Sequence, residues 1–281
     1  MIEYAISTSL TYGDLGRLPE LASYGLPHIE MGFWRPDRLS QVLEFANAHF
    51  ETAGFHDPLP GHEAWRWPSL NDPEPEERAR TLRGIRQTLE FAEEHDAAYV
   101  LCHFPSVHFK PVPEWSLAQS VDAALDSCAV LSQWSEEHGR PIILEHVGPH
   151  PYFDVPAFAE VLQAFPNLEF AVDIGHFHLL AVGGYFDGEE FLRTVAPRTT
   201  VVHVYNATVA SYREYHHVPV HPSQDPAAGW ADVPAILHRV LKAAGDVRIV
   251  FEHTPQYPVD RDFVQEGIDW VIELTRSPWL D

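Results

Sequence analysis

The sequence predicts a single (β/α)8 barrel domain spanning residues 1–281. Three observations lead to it. Short apolar runs alternate with amphipathic stretches, the pattern of a parallel sheet wrapped by helices. Eight such units occupy about 250 residues, the usual size of a closed barrel. Finally, the apolar runs end repeatedly in His, Asp or Glu, so that potential working residues gather where strands pass into the following loops. An open doubly wound sheet would instead need a glycine-rich phosphate turn after the first strand, and STSLTYGDLG is not one.

The strands are expected at Glu3–Thr8, His28–Gly32, Glu51–His56, Ala98–His103, Pro141–His146, Leu168–Ile174, Thr200–Tyr205 and Val247–His253. Between them, SQVLEFANAHF, EERARTLRGIRQTLEFAEEHD, SVDAALDSCAVLSQWSEEHG, VPAFAEVLQAF and VPAILHRVLKAAG repeat apolar residues at spacings of three and four, which reads as helix. Asp154 and Asp232 each precede Val-Pro and are expected to cap a helix, with Pro156 and Pro234 in the tolerated first turn. No linker or shift in composition divides the chain.

Composition narrows the function classes. A net charge of -23, with Lys110 and Lys242 as the only lysines among 18 basic residues, argues against nucleic-acid binding, which requires Lys and Arg to neutralise phosphates. Such acidity suits a field that draws cations. The two cysteines, Cys102 and Cys128, make no disulfide framework. MIEYAISTSL lacks the pattern of a secretory signal, and no window approaches the ~18 apolar residues of a membrane span. The expectation is a cytoplasmic protein, with no membrane partner, acting on a small molecule.

The strand ends carry the chemistry. They read AGFH to His56, YVLCH to His103, IILE to Glu145, FAVDIGH to Asp173 and His176, VVH to His203, and IVFE to Glu252. A carboxylate at the end of a buried strand needs a partner, because burial of an unpaired charge is costly. With few Lys and Arg near these strands, a metal is the better partner for Glu145 and Glu252. Asp173 and His176, three apart, are spaced to approach one ion. His203 alone would read as a packed core histidine, but its place between Asp173 and Glu252 in strand order makes it a candidate ligand.

These residues carry a resemblance. Glu-His at 145, Asp-Ile-Gly-His at 173–176, Val-His-Val at 202–204 and Phe-Glu-His at 251–253 resemble the xylose-isomerase-like barrel superfamily, which holds sugar isomerases and epimerases, inosose dehydratase and endonuclease IV. The resemblance implies that Glu145, Asp173, His203 and Glu252 bind a divalent ion, zinc first, with manganese, cobalt or iron as alternatives. His176 would contact substrate or a second metal. Endonuclease IV adds histidine ligands, matched in strand position by His56 and His103 and, in the loop after strand seven, by His221. There Pro219 stands in place of that family's Asp, and His216 or His217 is a possible substitute. Strand seven continues as Tyr205-Asn206 instead of the Lys-Asp found in many sugar-phosphate isomerases.

Two reactions follow from this resemblance. The extra histidines favour metal-activated hydrolysis of a phosphoester, the nucleotide loop of a cobamide being one candidate. The alternative is isomerisation or epimerisation, with Glu145 and Glu252 as catalytic residues exchanging a proton beside a metal-polarised carbonyl. An iron-dependent oxidase is a third reading, since such ligand sets accept several metals. For substrate contact the candidates are Trp34, Trp65, Trp67, Trp115, Arg213, His217 and Tyr257, which suit a ligand with a broad apolar or planar part.

Overall fold

The computed structural model describes residues 1–61, 69–105, 115–148 and 153–276. Its centre is a closed barrel of eight parallel strands in sequential order. These are β1 (Ile2–Ser7), β2 (His28–Gly32), β3 (Thr52–His56), β4 (Val100–His103), β5 (Ile142–Glu145), β6 (Glu169–Asp173), β7 (Thr199–Val204) and β8 (Val247–Phe251). Around it run α1 (Leu18–Ser23), α2 (Pro36–His49), α3 (Pro75–Glu94), α4 (Leu117–His138), α5 (Val155–Ala164), α6 (Ile174–Val182), α7 (Gly188–Val195), α8 (Val209–Tyr215), α9 (Val233–Ala243) and α10 (Arg261–Arg276). The strands differ from the sequence expectation by no more than two residues at either end. Among the described residues, no helix is long and apolar enough to cross a membrane.

Two helices start as their sequences imply. The Asp154 carboxylate accepts from Ala157 N at 3.1 Å, and the Asp232 carboxylate from Ala235 N at 3.1 Å, each satisfying an amide that the first turn leaves free. Ser116 and Gln119 form a reciprocal capping box at the start of α4.

Strand alternation builds two layers. Ile6, Ile29, Met31, Val100, Cys102, Ile142, Leu144, Phe170, Val172, Val202, Val204, Ile249 and Phe251 belong to the apolar core that includes the packed helices. The intervening positions form a separate inner cluster of Ala5, Tyr99, Leu101, Ile143, Ala171, Val201 and Val250. Two residues further along the chain stand Glu145, Asp173 and His203 on β5, β6 and β7, and Glu252 just past the end of β8. Because side chains repeat with a period of two, these four continue the inward rows above an apolar plug.

A missing side chain on β3 makes room in this interior. A Cβ on Gly54 would lie 2.1 Å from Tyr99 Cζ, so the phenol occupies the space a residue at 54 would fill. Gly54→Ala is therefore expected to lower stability by about 3 kcal/mol or more, the upper end of overpacking costs. Urea unfolding would measure it, and adding Tyr99→Leu should recover part of the loss.

Candidate metal centre

Strand register brings the inward donors together. His103 pairs with Glu145 across β4 and β5, and Asp173 pairs with His203 across β6 and β7. Donor atoms of Glu145, Asp173, His203 and Glu252 all lie within 4.8 Å of one another, as do those of His56, His103 and Glu145. Glu145 belongs to both groups. Its Oε1 lies 2.5 Å from His203 Nδ1, and its Oε2 lies 3.3 Å from both His56 Nε2 and His103 Nε2.

Three carboxylates converge on one imidazole. Glu252 Oε2 is 3.2 Å and Asp173 Oδ2 3.9 Å from the same His203 Nδ1. Glu145, Asp173 and His203 are buried, and Asp173 Oδ2 and His203 Nδ1 have no hydrogen-bond partner. Burial and the charges of Glu145 and Glu252 push the Asp173 carboxyl well above the usual range. Burial opposes a charged His203, but Glu30, Glu145 and Glu252 outweigh it and raise the imidazole well above its ordinary value. Glu145 and Glu252 are held low against the effect of burial, chiefly by His203, with Glu252 at about 2. A divalent cation fits this donor set: it relieves the carboxylate repulsion and supplies a partner for the orphaned Asp173 and His203 atoms.

Two of the four donors, Glu145 and Glu252, line a cavity of about 560 Å³ at the C-terminal mouth of the barrel, and Asp173 and His203 are buried beside them. Glu145, Glu252, His56, His103, His176 and His217 line it, and Tyr12, Phe33, Tyr212 and His216 contribute to its wall. His217 stacks on Tyr205 at 3.8 Å and places Nδ1 2.9 Å from the Glu252 carbonyl oxygen. His176 meets His217 and Tyr212 edge-on, and burial with the nearby His217 lowers its pKa to about 3. It lies outside both donor groups, so the structure places it as a wall residue of the cavity and not among the clustered ligands.

Other sequence expectations need correction. His221 is away from the cavity: it stacks on Phe263 at 3.8 Å, approaches Glu266 at 3.3 Å and meets Ser223 Oγ at 2.7 Å. The cause is the close docking of α10, where a Cβ on Gly267 would lie 1.8 Å from the Val220 oxygen. Trp34 is buried in the apolar core, while its neighbour Phe33, at a φ of 52°, faces the cavity. Tyr257 packs on Tyr215, Arg213 is exposed beside the cavity-lining Tyr212, and Trp115 is half-buried outside the lining residues. Trp65 and Trp67 lie outside the described residues.

One inward group escaped the strand-end pattern. Glu30, fully buried on β2, accepts from the Tyr99 hydroxyl at 2.7 Å and from His203 Nε2 at 3.2 Å. The signal was a lone Glu inside the apolar run HIEMG, two residues before the strand's end.

The model of the xylose isomerase-like TIM barrel family matches residues 18–274. The chain belongs to this family. No curated protein matches it in sequence. Solved structures with the xylose isomerase-like fold include a D-tagatose 3-epimerase-like protein (TM-score 0.71, 16% identity, 97% of each chain covered). Also similar is an IolI protein with a zinc atom (TM-score 0.69, 16% identity, 97% of each chain). The Escherichia coli 3-keto-D-glucoside 4-epimerase YcjR, in its apo form, has a TM-score of 0.67 at 13% identity, covering 97% of this chain and 98% of that one. At these identities the likeness establishes the shared barrel.

Metal binding should release protons. His203 and Asp173 are both pushed towards their protonated forms, and coordination displaces any proton they carry, so affinity should rise with pH until both have lost it. Calorimetric titration of the metal-free protein with Zn²⁺ or Mn²⁺, in buffers of different ionisation enthalpy, would count the protons. A pH-independent affinity with no proton release would contradict this reading of His203 and Asp173.

Proposed function

We propose that the protein is a divalent-metal-dependent isomerase or epimerase acting on a small polyhydroxy carbonyl compound. The observation that carries this reading is the convergence of Glu145 and Glu252 on the floor of one cavity, 2.5 and 3.2 Å from the same His203 nitrogen. Glu145, Asp173, His203 and Glu252 would hold the ion. When bound, it would polarise the substrate carbonyl and offset the negative charge that develops there.

The chain's own groups then move the proton. One glutamate, as carboxylate, would accept it from the carbon beside the carbonyl. For inversion the other glutamate, entering the cycle protonated, would deliver its own proton to the opposite side of the same carbon, leaving the pair with exchanged protonation; for a carbonyl shift the first glutamate would return the proton to the adjacent carbon while the substrate hydroxyl proton passes to the former carbonyl oxygen. The cavity exceeds what a bare monosaccharide needs and lies within the range of sites for larger ligands, so a sugar carrying an additional apolar or planar group fits its aromatic wall.

The similarity to an epimerase-like protein and a 4-epimerase supports proton transfer over the hydrolysis that the extra histidines first suggested. The position of His221 adds to this, because the loop ligand implied by the endonuclease IV resemblance is turned towards α10. A two-metal hydrolase keeps one specific observation in its favour: Glu145 divides its oxygens between two donor groups. Metal content separates the two, with one ion per chain expected for the isomerase and two for the hydrolase.

The direct test is proton NMR of neutral ketoses and aldoses incubated with the metal-loaded protein in D₂O. The expected result is deuterium at the carbon next to the carbonyl, together with a new epimer or aldose–ketose partner. Glu145→Gln and Glu252→Gln should each slow exchange by about 10²–10⁴-fold. Absence of exchange, with alcohol release from phosphoesters instead, would overturn the proposal.

A further inference from the structure

We infer that Glu30 is the positioning residue of the metal centre, its carboxylate holding His203 through Nε2 so that Nδ1 is presented to the ion, while Tyr99 holds Glu30. This rests on the reading that Glu145, Asp173, His203 and Glu252 bind a metal. Glu30 does not line the cavity and is not one of the four clustered donors; it acts through the imidazole of His203.

Glu30 secures one end of the ring. His203 Nε2 is 3.0 Å from Glu30 Oε1 and 3.2 Å from Oε2, and a carboxylate can only accept, so Nε2 keeps its hydrogen when Nδ1 turns a lone pair to an ion. The opposite nitrogen, Nδ1, is the one surrounded by Glu145, Glu252 and Asp173. A neutral imidazole held this way offers its lone pair where the other three donors converge. Rotation of the ring would break the Glu30 contact, which fixes orientation as well as tautomer.

The support for Glu30 is itself built into the barrel. Glu30 is the register partner of Gly54, and the space left by Gly54 admits the Tyr99 ring, whose hydroxyl donates to Glu30 Oε2 at 2.7 Å. Behind the ring, the Arg248 guanidinium lies 5.5 Å from the Tyr99 centroid and pairs with Glu3 at 2.6 Å. A residue serving only to fill this space would not need a carboxylate. An apolar side chain of similar volume would avoid the cost of burying charge, and here the carboxylate meets the one ligand whose second nitrogen requires an acceptor.

The experiment compares wild type, Glu30→Gln, Glu30→Leu and Tyr99→Phe as full-length, metal-free proteins. Each is titrated with Zn²⁺ and Mn²⁺ by chelator competition, and the His203 tautomer is read by long-range ¹H–¹⁵N NMR. Glu30→Leu should weaken metal binding by about 10–100-fold, the range for loss of such an outer partner. Glu30→Gln, which keeps an acceptor for Nε2–H, should recover most of the affinity, and Tyr99→Phe should fall between. In metal-loaded wild type the hydrogen should be on Nε2.

A solely structural role would lower the melting temperature of the metal-free variants while leaving the affinity of the folded protein and the tautomer unchanged, and that result overturns the inference. If Glu30→Leu does not fold, the affinities and tautomers of Glu30→Gln and Tyr99→Phe decide the matter, wild-type values in both overturning it. Failure of wild type to bind either metal would instead overturn the metal reading itself, so the two failures are distinct.

Discussion

Concentrating three carboxylates around one imidazole is the constraint on which the centre of this molecule depends. At ordinary separations in water such charges would repel weakly, but inside the barrel the lower effective dielectric magnifies the repulsion. Before an ion binds, burial and the neighbouring carboxylates push His203 and Asp173 towards their protonated forms, which lessens the repulsion. An ion relieves it more completely, because one divalent charge faces all four donors at once. Strand pairing makes the arrangement possible: register holds Asp173 against His203 and His103 against Glu145 before any side chain turns.

Below these donors the barrel must fill its interior, and it does so unevenly. Ala5 and Ala171 leave room that Leu101, Ile143, Val201 and Val250 take up, while Tyr99 reaches across the gap at Gly54. The result is an apolar plug beneath a polar layer, with Glu30 and Tyr99 joining the two. Stability and function are therefore coupled at β2–β4: the residues that pack the interior also determine how His203 is held.

Much of this order was legible in the sequence because it follows from local rules. Alternation of apolar residues located all eight strands, Asp-Val-Pro marked the starts of α5 and α9, and the strand-ending donors of β5–β8 came together as their spacing implied. Glu30 was missed because it stands in the middle of its strand, and only register reveals its inward neighbours. Trp34 and Phe33 could not be told apart by pattern, since a left-handed backbone at Phe33 decides which ring enters the core. His221 depended on a contact between residues far apart in the chain, the docking of Gly267 on Val220. Such long-range packing leaves no periodic trace.

The two glutamates at the floor of the cavity are not equivalent. Glu145 has both oxygens engaged, one by His203 and the other by His56 and His103, and its side chain is only 1% exposed. Glu252 is 12% exposed, and its Oε2 faces His203 and, at 3.6 Å, His217. A carboxylate held from three directions is a good anchor but must break more contacts to accept a proton. Glu252 has fewer to break and lies nearer the open side, beside the stacked His217 and Tyr205. If these two carboxylates carry a proton as proposed, each would give up a different set of contacts to do so, and the steps at Glu145 and at Glu252 would have unequal barriers, while the ratio of forward to reverse kcat/KM stays fixed by the equilibrium constant.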